Sequence, residues 1–164
     1  MPLLKDGRVV SDLWRHLEDG DALPPAGPVT VSWKRWSSER DALAAHDGPL
    51  GLRLPNDVPV TSFAGDAARF DLIVLSFPRF TDGRAYSQAR LLRGRLRFRG
   101  ELRASGNVLR DQLLFMRRCG IDAFEVSERA IAENWLAALR DFDIFYQPAE
   151  DGRPWIASQR QYAL

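Results

Sequence analysis

The stretch "FDLIVLSF", Phe70–Phe77, constrains the fold more than any other, because its only polar residues are Asp71 and Ser76. It is far short of the roughly 20 apolar residues that span a bilayer. Its aliphatic and β-branched run, closed by Pro78, predicts a strand in the middle of a sheet covered on both faces. What flanks it alternates between strand-like and helix-like patterns. "VTVSW" (29–33), "LGLRL" (50–54) and "DAFEV" (122–126) read as strands, as do "VPVTSF" (58–63), the segment 98–104 and "DIFYQ" (143–147). Helical patterns cover 37–48, with Ser37 or Ser38 as N-cap and Gly48 beyond the end, then 84–93, 108–119 closed by Gly120, and 127–142. "GDAARF" reads as a helical turn. Ahead of them, "LLKDGRVV" has the form of a tight hairpin about Asp6-Gly7. "SDLWRHLEDG" reads as a short helix capped by Ser11, and "DALPPAGP" as a connector.

Repeated strand–helix–strand units with short connections predict an α/β fold with a mainly parallel sheet and right-handed crossovers. An open doubly wound sheet is the first expectation, and a half-barrel of four βα units is the alternative; unit lengths do not separate them. A single α/β domain over 1–164 is expected, with hairpin, helix and connector in 1–27, the βα core in 28–147 and a tail in 148–164.

In parallel α/β sheets ligands bind beyond the carboxyl ends of the strands, and the charge pattern draws attention there. The chain's net charge of +1 hides an uneven distribution: residues 79–118 hold eleven arginines, no lysine and three acids, a net +8, against −7 elsewhere. "SFPRFTDGR", "ASGNVLRDQ" and "VSER" each lead from a strand into a helix, whose amide groups suit an anion. Thr81 or Asp82, Ser105 or Asn107, and Ser127 are the expected caps. The predicted anion rim takes Arg79, Asp82, Gly83 and Arg84 from the first junction, and Ser105, Asn107, Arg110, Asp111 and Gln112 from the second. Guanidinium forks match oxyanions of sulfur, phosphorus or carbon. The competing expectation is that Asp82-Gly83 forms a turn and the arginines pair with nearby acids. On the helix 108–119, Leu109, Leu113 and Met116 make one apolar stripe and Val108, Phe115 and Cys119 its neighbour, with Gln112 on the same side.

Several chemistries are excluded. One cysteine, Cys119, allows neither a CxxC pair nor a four-cysteine cluster within the chain, and the helix C-terminus around it predicts an unreactive, buried thiol. His16 and His46 have no metal-ligand spacing, so no metal is expected and no Ser/His/Asp set is proposed. No phosphate-binding glycine fingerprint is present. The alternation of Arg95, Arg97 and Arg99 with Leu96 and Phe98 would present one charged strand face to nucleic acid, but no known nucleic-acid module accompanies it, and a nucleic-acid partner is not expected. No secretory leader is read at the N-terminus, so a cytoplasmic location is expected.

"SFPRFTDGRAYSQARLLR" followed by "GNVLRDQLLFMRRCGIDAFEV" resembles the signature of an uncharacterised bacterial family of unknown function. Its members are often labelled oxidoreductases involved in sulfite reduction. Arg79, Phe80, Asp82, Gly83, Arg84, Arg110, Asp111, Gln112, Arg117, Arg118, Cys119 and Gly120 carry the resemblance. It implies a link to sulfite reductase or another sulfur-assimilation enzyme as partner, and carries over no catalytic residue and no cofactor. Six-electron reduction of sulfite resembles chemistry run by siroheme with an iron–sulfur cluster, which one cysteine cannot ligate. The expectation is therefore an accessory protein with an anion-binding rim. The alternative is a small oxidoreductase or ligand-binding subunit for a sulfur oxyanion or nucleotide. A homo-oligomer is compatible with either, and no membrane role is expected.

Overall fold

The computed structural model describes residues 2–126, 137, 145–156 and 158. Among the described residues eight strands form one sheet: β1 (Leu3–Lys5), β2 (Arg8–Val10), β3 (Arg15–His16), β4 (Val29–Ser32), β5 (Leu50–Leu54), β6 (Leu72–Phe77), β7 (Glu101–Gly106) and β8 (Ala123–Glu125). Their order is β2-β1-β8-β7-β6-β5-β4-β3. β3 to β8 are parallel neighbours in chain order, and β1 and β2 add antiparallel at the β8 edge. Because the order never reverses, the sheet has no switch point, and right-handed crossovers place the intervening helices on one face. Of the two expected arrangements, the open half-barrel is the one the chain adopts.

The hairpin shows why the sheet must curl. β2 and β3 lie at opposite edges, yet only Ser11–Trp14 join them. Seven strand spacings would set flat edges roughly 33 Å apart. Five residue steps reach about 18 Å at most. The sheet therefore bends until its edges approach, and the linking strap crosses its concave side, where the Asp12 carboxylate bonds the Trp14 amide at 3.1 Å. The helix expected over 11–20 is consequently absent: Arg15 and Leu17 instead donate main-chain hydrogen bonds to Pro28 and Thr30 of the β4 side, at 3.0 and 2.9 Å.

Strand alternation sorts residues to the two faces. Leu4, Val31, Leu52, Ile73, Leu75, Leu102, Ala104 and Phe124 point to the helices and join one core with Trp36, Leu43, Phe63, Phe70, Ala89, Leu92, Leu113 and Met116. Trp36 meets Phe70 edge-on at 4.8 Å between ring centres. β6 is buried on both faces as its sequence predicts, since Leu72 and Val74 on the concave side are also covered. The asymmetry lies in its neighbours, whose concave positions are mostly polar.

Among the described residues, four helices cover the convex face: α1 (Trp33–Ser38), α2 (Arg40–Ala44), α3 (Arg84–Arg90) and α4 (Leu113–Arg118). α1 begins earlier than its sequence pattern predicts. Ser32 caps it by accepting the Arg35 amide at 3.0 Å, while Ser37 and Ser38 bond backward to helix carbonyls. "VPVTSF" is not a strand but a 3-10 turn at Val60–Phe63, entered through Pro59. α3 runs on into a π-helical turn, Leu91–Arg95, which delays β7 to Glu101. The arginine alternation expected across 95–99 therefore does not lie on a strand. α4 is preceded by a 3-10 turn, Arg110–Gln112, and Phe115 is 57% exposed rather than part of the core. Gly120 closes α4 at φ 93 as expected. The helix expected over 127–142 and its Ser127 cap lie outside the described residues, apart from Ala137, which is in a helix. Of the segment 143–147, Phe145 makes a single bridge to Trp155.

Candidate functional site

At the carboxyl ends of β4 to β7 the concave face opens into a cavity of about 480 Å3. Its floor is built by register. Ser32 on β4 lies beside Arg53 on β5, Arg53 beside Val74 on β6, and Ser76 on β6 beside Ser105 on β7. Trp33 and Pro55 supply the apolar wall, and Glu18, Asp19 and Lys34 the rim. The terminal nitrogens of Arg53 donate to the Leu17 carbonyl and to Glu18, the latter at 3.3 Å. Its Nε is buried with no hydrogen-bond partner among the described residues. Ser32 donates to Asp19 at 2.5 Å and Lys34 lies 3.4 Å from it; these two donors, Ser32 first, hold the exposed Asp19 carboxyl below its usual range. Ser105 donates to Glu125 at 2.5 Å. The Ser76 hydroxyl lines the same floor, between Arg53 and Ser105 in the plan of the sheet.

Beside this cavity the concave face is held by ions. Arg103 on β7 is 1% exposed and binds Asp12 of the strap at 2.6 Å and Glu101 at 2.9 Å, with Glu125 at 3.5 Å. Burial opposes the Arg103 charge, but the Asp12 and Glu101 carboxylates outweigh it and raise its pKa. Burial likewise opposes ionisation of Asp12, and the bonds from Arg103, the Trp14 amide and His16 overcome it, leaving that carboxyl below its ordinary range. Lys5 completes the row, 2.6 Å from Glu101.

His16 bridges this network to the sheet: Nε2 lies 2.9 Å from Asp12, and Nδ1 lies 2.7 Å from the Thr30 hydroxyl. The sequence spacing did not disclose this carboxylate–imidazole–hydroxyl series, since strap and strand are joined only by folding. Thr30 is fully buried, so the series fastens the strap and offers no accessible nucleophile. Asp12, His16 and Glu125 also place three ligand-type atoms within 4.8 Å of one another. Arg103 already lies against both carboxylates, which opposes a cation there.

The sequence-predicted rim residues divide between two settings. Ser105 alone lines the strand-end cavity. Asp82 and Arg84 pair with each other, Nη2 to Oδ2 at 2.7 Å and Nε to Oδ1 at 3.0 Å, which matches the competing expectation for Arg84 though not for Arg79. That pairing holds the half-buried Asp82 carboxyl far below its normal range. Gly83 stands at the start of α3 without a side-chain cap, although Asp82 accepts the Arg84 amide at 3.3 Å. Gln112 donates to the Phe80 carbonyl at 3.2 Å and so ties the two junctions together, while its Oε1 is buried without a partner among the described residues. Arg79, Asn107, Arg110 and Asp111 are exposed. The Asn107 amide donates to the Phe77 carbonyl at 2.7 Å.

Ser32, Arg53 and Ser76 escaped sequence reading. The available signal was a polar residue at alternate positions in otherwise apolar strands, visible as Arg53 in "LGLRL" and Ser76 in "DLIVLSF".

A half-barrel whose helices cover one face and whose polar concave face opens at the strand ends defines a small α/β domain. Residues 51–156 match the family described as bacterial protein of unknown function (DUF934), and the chain belongs to that family. No curated protein matches the chain. Among the described residues no helix is long and apolar enough to cross a membrane.

Proposed function

We propose that this chain is an accessory protein of sulfite reduction that holds a small oxyanion, sulfite or sulfate, in the cavity beyond β4 to β7. The observation that supports the reading is Arg53. Its terminal nitrogens are anchored to Leu17 and Glu18, its Nε lacks a partner among the described residues, and it stands over a floor carrying the Ser32, Ser76 and Ser105 hydroxyls. A guanidinium lining the cavity favours an oxyanion there through charge-assisted hydrogen bonding. Position adds support, since ligands of parallel α/β sheets bind beyond the strand carboxyl ends. The sulfur assignment rests on the family resemblance, and binding rather than turnover on the Arg53 guanidinium and the Ser76 hydroxyl in the cavity lining.

Calorimetric titration with sulfite, sulfate and phosphate tests the site. Saturable binding of a sulfur oxyanion, weakened about tenfold or more by Arg53→Gln and less by Ser76→Ala, is expected. Absence of binding by all three anions refutes it. Co-purification with sulfite reductase from cells grown on sulfate tests the accessory role, and a chain that elutes free of the reductase counts against that role.

A further inference from the structure

At the opposite end of the half-barrel, the chain enters β7 through the loop 95–100, which separates two cavities. The larger, about 520 Å3, is shared with Lys5, Asp6, Asp122 and Glu150. The smaller, about 380 Å3, is backed by Ala67, Ala68, Phe70, Asp71 and Leu96. Arg97 and Arg99 line both. Both side chains are exposed and have no ion-pair or hydrogen-bond partner among the described residues.

The loop is fixed from beneath. Arg93 donates to the Phe98, Gly100 and Gly120 carbonyls at 2.8, 2.9 and 2.9 Å, pairs with Asp122, and lies 5.6 Å over the Phe98 ring. A side chain at Gly100 would meet the Asp71 carbonyl at 2.6 Å, so the loop is pressed onto the β6 entry. On this frame Arg97 adopts φ 55, the left-handed region that glycine and asparagine fill at little cost and a long side chain does not. Such an outlier is a reason to look for a role of the side chain itself.

The two cavities differ in charge. In the larger, Asp6 and Glu150 share the lining with the arginines, while Glu101 and Asp122 are engaged by Lys5 and Arg93. In the smaller, the one carboxylate among the described residues, Asp71, accepts the Leu50 amide at 3.1 Å, and the remaining wall is apolar. Two unpaired guanidinium groups beside an apolar wall match an anion that carries a flat apolar part, and the volume lies in the range of small-ligand sites. We propose that this smaller cavity binds a mononucleotide-sized organic phosphate, its phosphate on Arg97 and Arg99 and its apolar part against Phe70 and Leu96. The site is separate from the strand-end cavity and does not depend on the reading given to it.

Titration of the full chain with AMP, and with inorganic phosphate as the second arm, tests the proposal at low and at physiological salt. AMP is expected to bind saturably and more tightly than phosphate. Arg97→Gly and Arg99→Gln are each expected to weaken AMP about tenfold. Arg97→Gly suits the left-handed backbone, so its thermal unfolding should match or exceed that of the parent and separate loss of binding from loss of fold. Arg53→Gln should leave AMP binding unchanged. No saturable AMP binding at low salt, AMP no tighter than phosphate, or full AMP affinity in both arginine variants would overturn it.

Discussion

Replacing Arg103 with methionine removes the guanidinium that joins strap, β7 and β8 while keeping most of the side-chain volume. Arg103 is 1% exposed, with Asp12 and Glu101 at 2.6 and 2.9 Å and Glu125 at 3.5 Å. Two charge-assisted hydrogen bonds of about 1.5–3 kcal/mol each are lost. Three carboxylates are then left facing one another, one of them still held by Lys5. Breaking a buried ion network from one side costs about 3–5 kcal/mol. With a urea slope of about 2 kcal/mol per molar, the unfolding midpoint should fall by roughly 2 M at pH 7. The pH dependence identifies the cause. The Asp12 carboxyl is depressed in the folded parent, so it adds stability above its unfolded pKa of about 4 and loses it as pH falls through the lower folded value. Without Arg103 this contribution disappears, so the gap between variant and parent should narrow below about pH 4. Arg103→Lys, which keeps charge but not the fork, should fall between the two. Denaturant unfolding at pH 7 and pH 3 decides the matter. A methionine variant within about 1 kcal/mol of the parent at pH 7, or a gap that does not depend on pH, would refute the reasoning.

Three other outcomes follow from local geometry. Gly51→Ala would set a methyl 2.7 Å from the Thr30 methyl and 3.2 Å from the Trp14 ring; overpacking of about 1–3 kcal/mol is expected in urea unfolding. Cys119 is buried, and burial raises its thiol pKa, so a disulfide reagent should modify it slowly in the folded chain and rapidly once urea unfolds it. Burial pushes the Tyr86 phenol up to about 12, so ultraviolet titration of Tyr86→Phe should lack the highest-pH step of the parent. Because the neutral phenol is favoured only in the folded state, Tyr86 adds stability that is present below about pH 10 and absent above the folded value, as unfolding versus pH would report.

Elements whose information is local can be read from the chain alone. The apolar runs of β5 and β6, the Asp6-Gly7 hairpin, the Gly120 stop and the buried Cys119 each follow from neighbours a few residues apart. The place of Ser105 at a strand end is legible, and pairing of Arg84 with a nearby acid is one of the two outcomes its neighbours suggest, because both depend on adjacent residues. Contacts between distant segments are set by folding. "SDLWRHLEDG" has a helical pattern, but β4 offered main-chain partners to Arg15 and Leu17, and the strap had to bridge the sheet edges in four residues. That constraint curls the sheet into a half-barrel, buries Arg103 among carboxylates from Asp12 to Glu125, and gathers Ser32, Arg53 and Ser76 beneath one opening. Hydrophobic period reports which side of a strand faces the core, but not which strands stand side by side. The polar floor of the cavity is a product of strand order, and strand order is set by chain connectivity and edge closure, not by any one segment's composition.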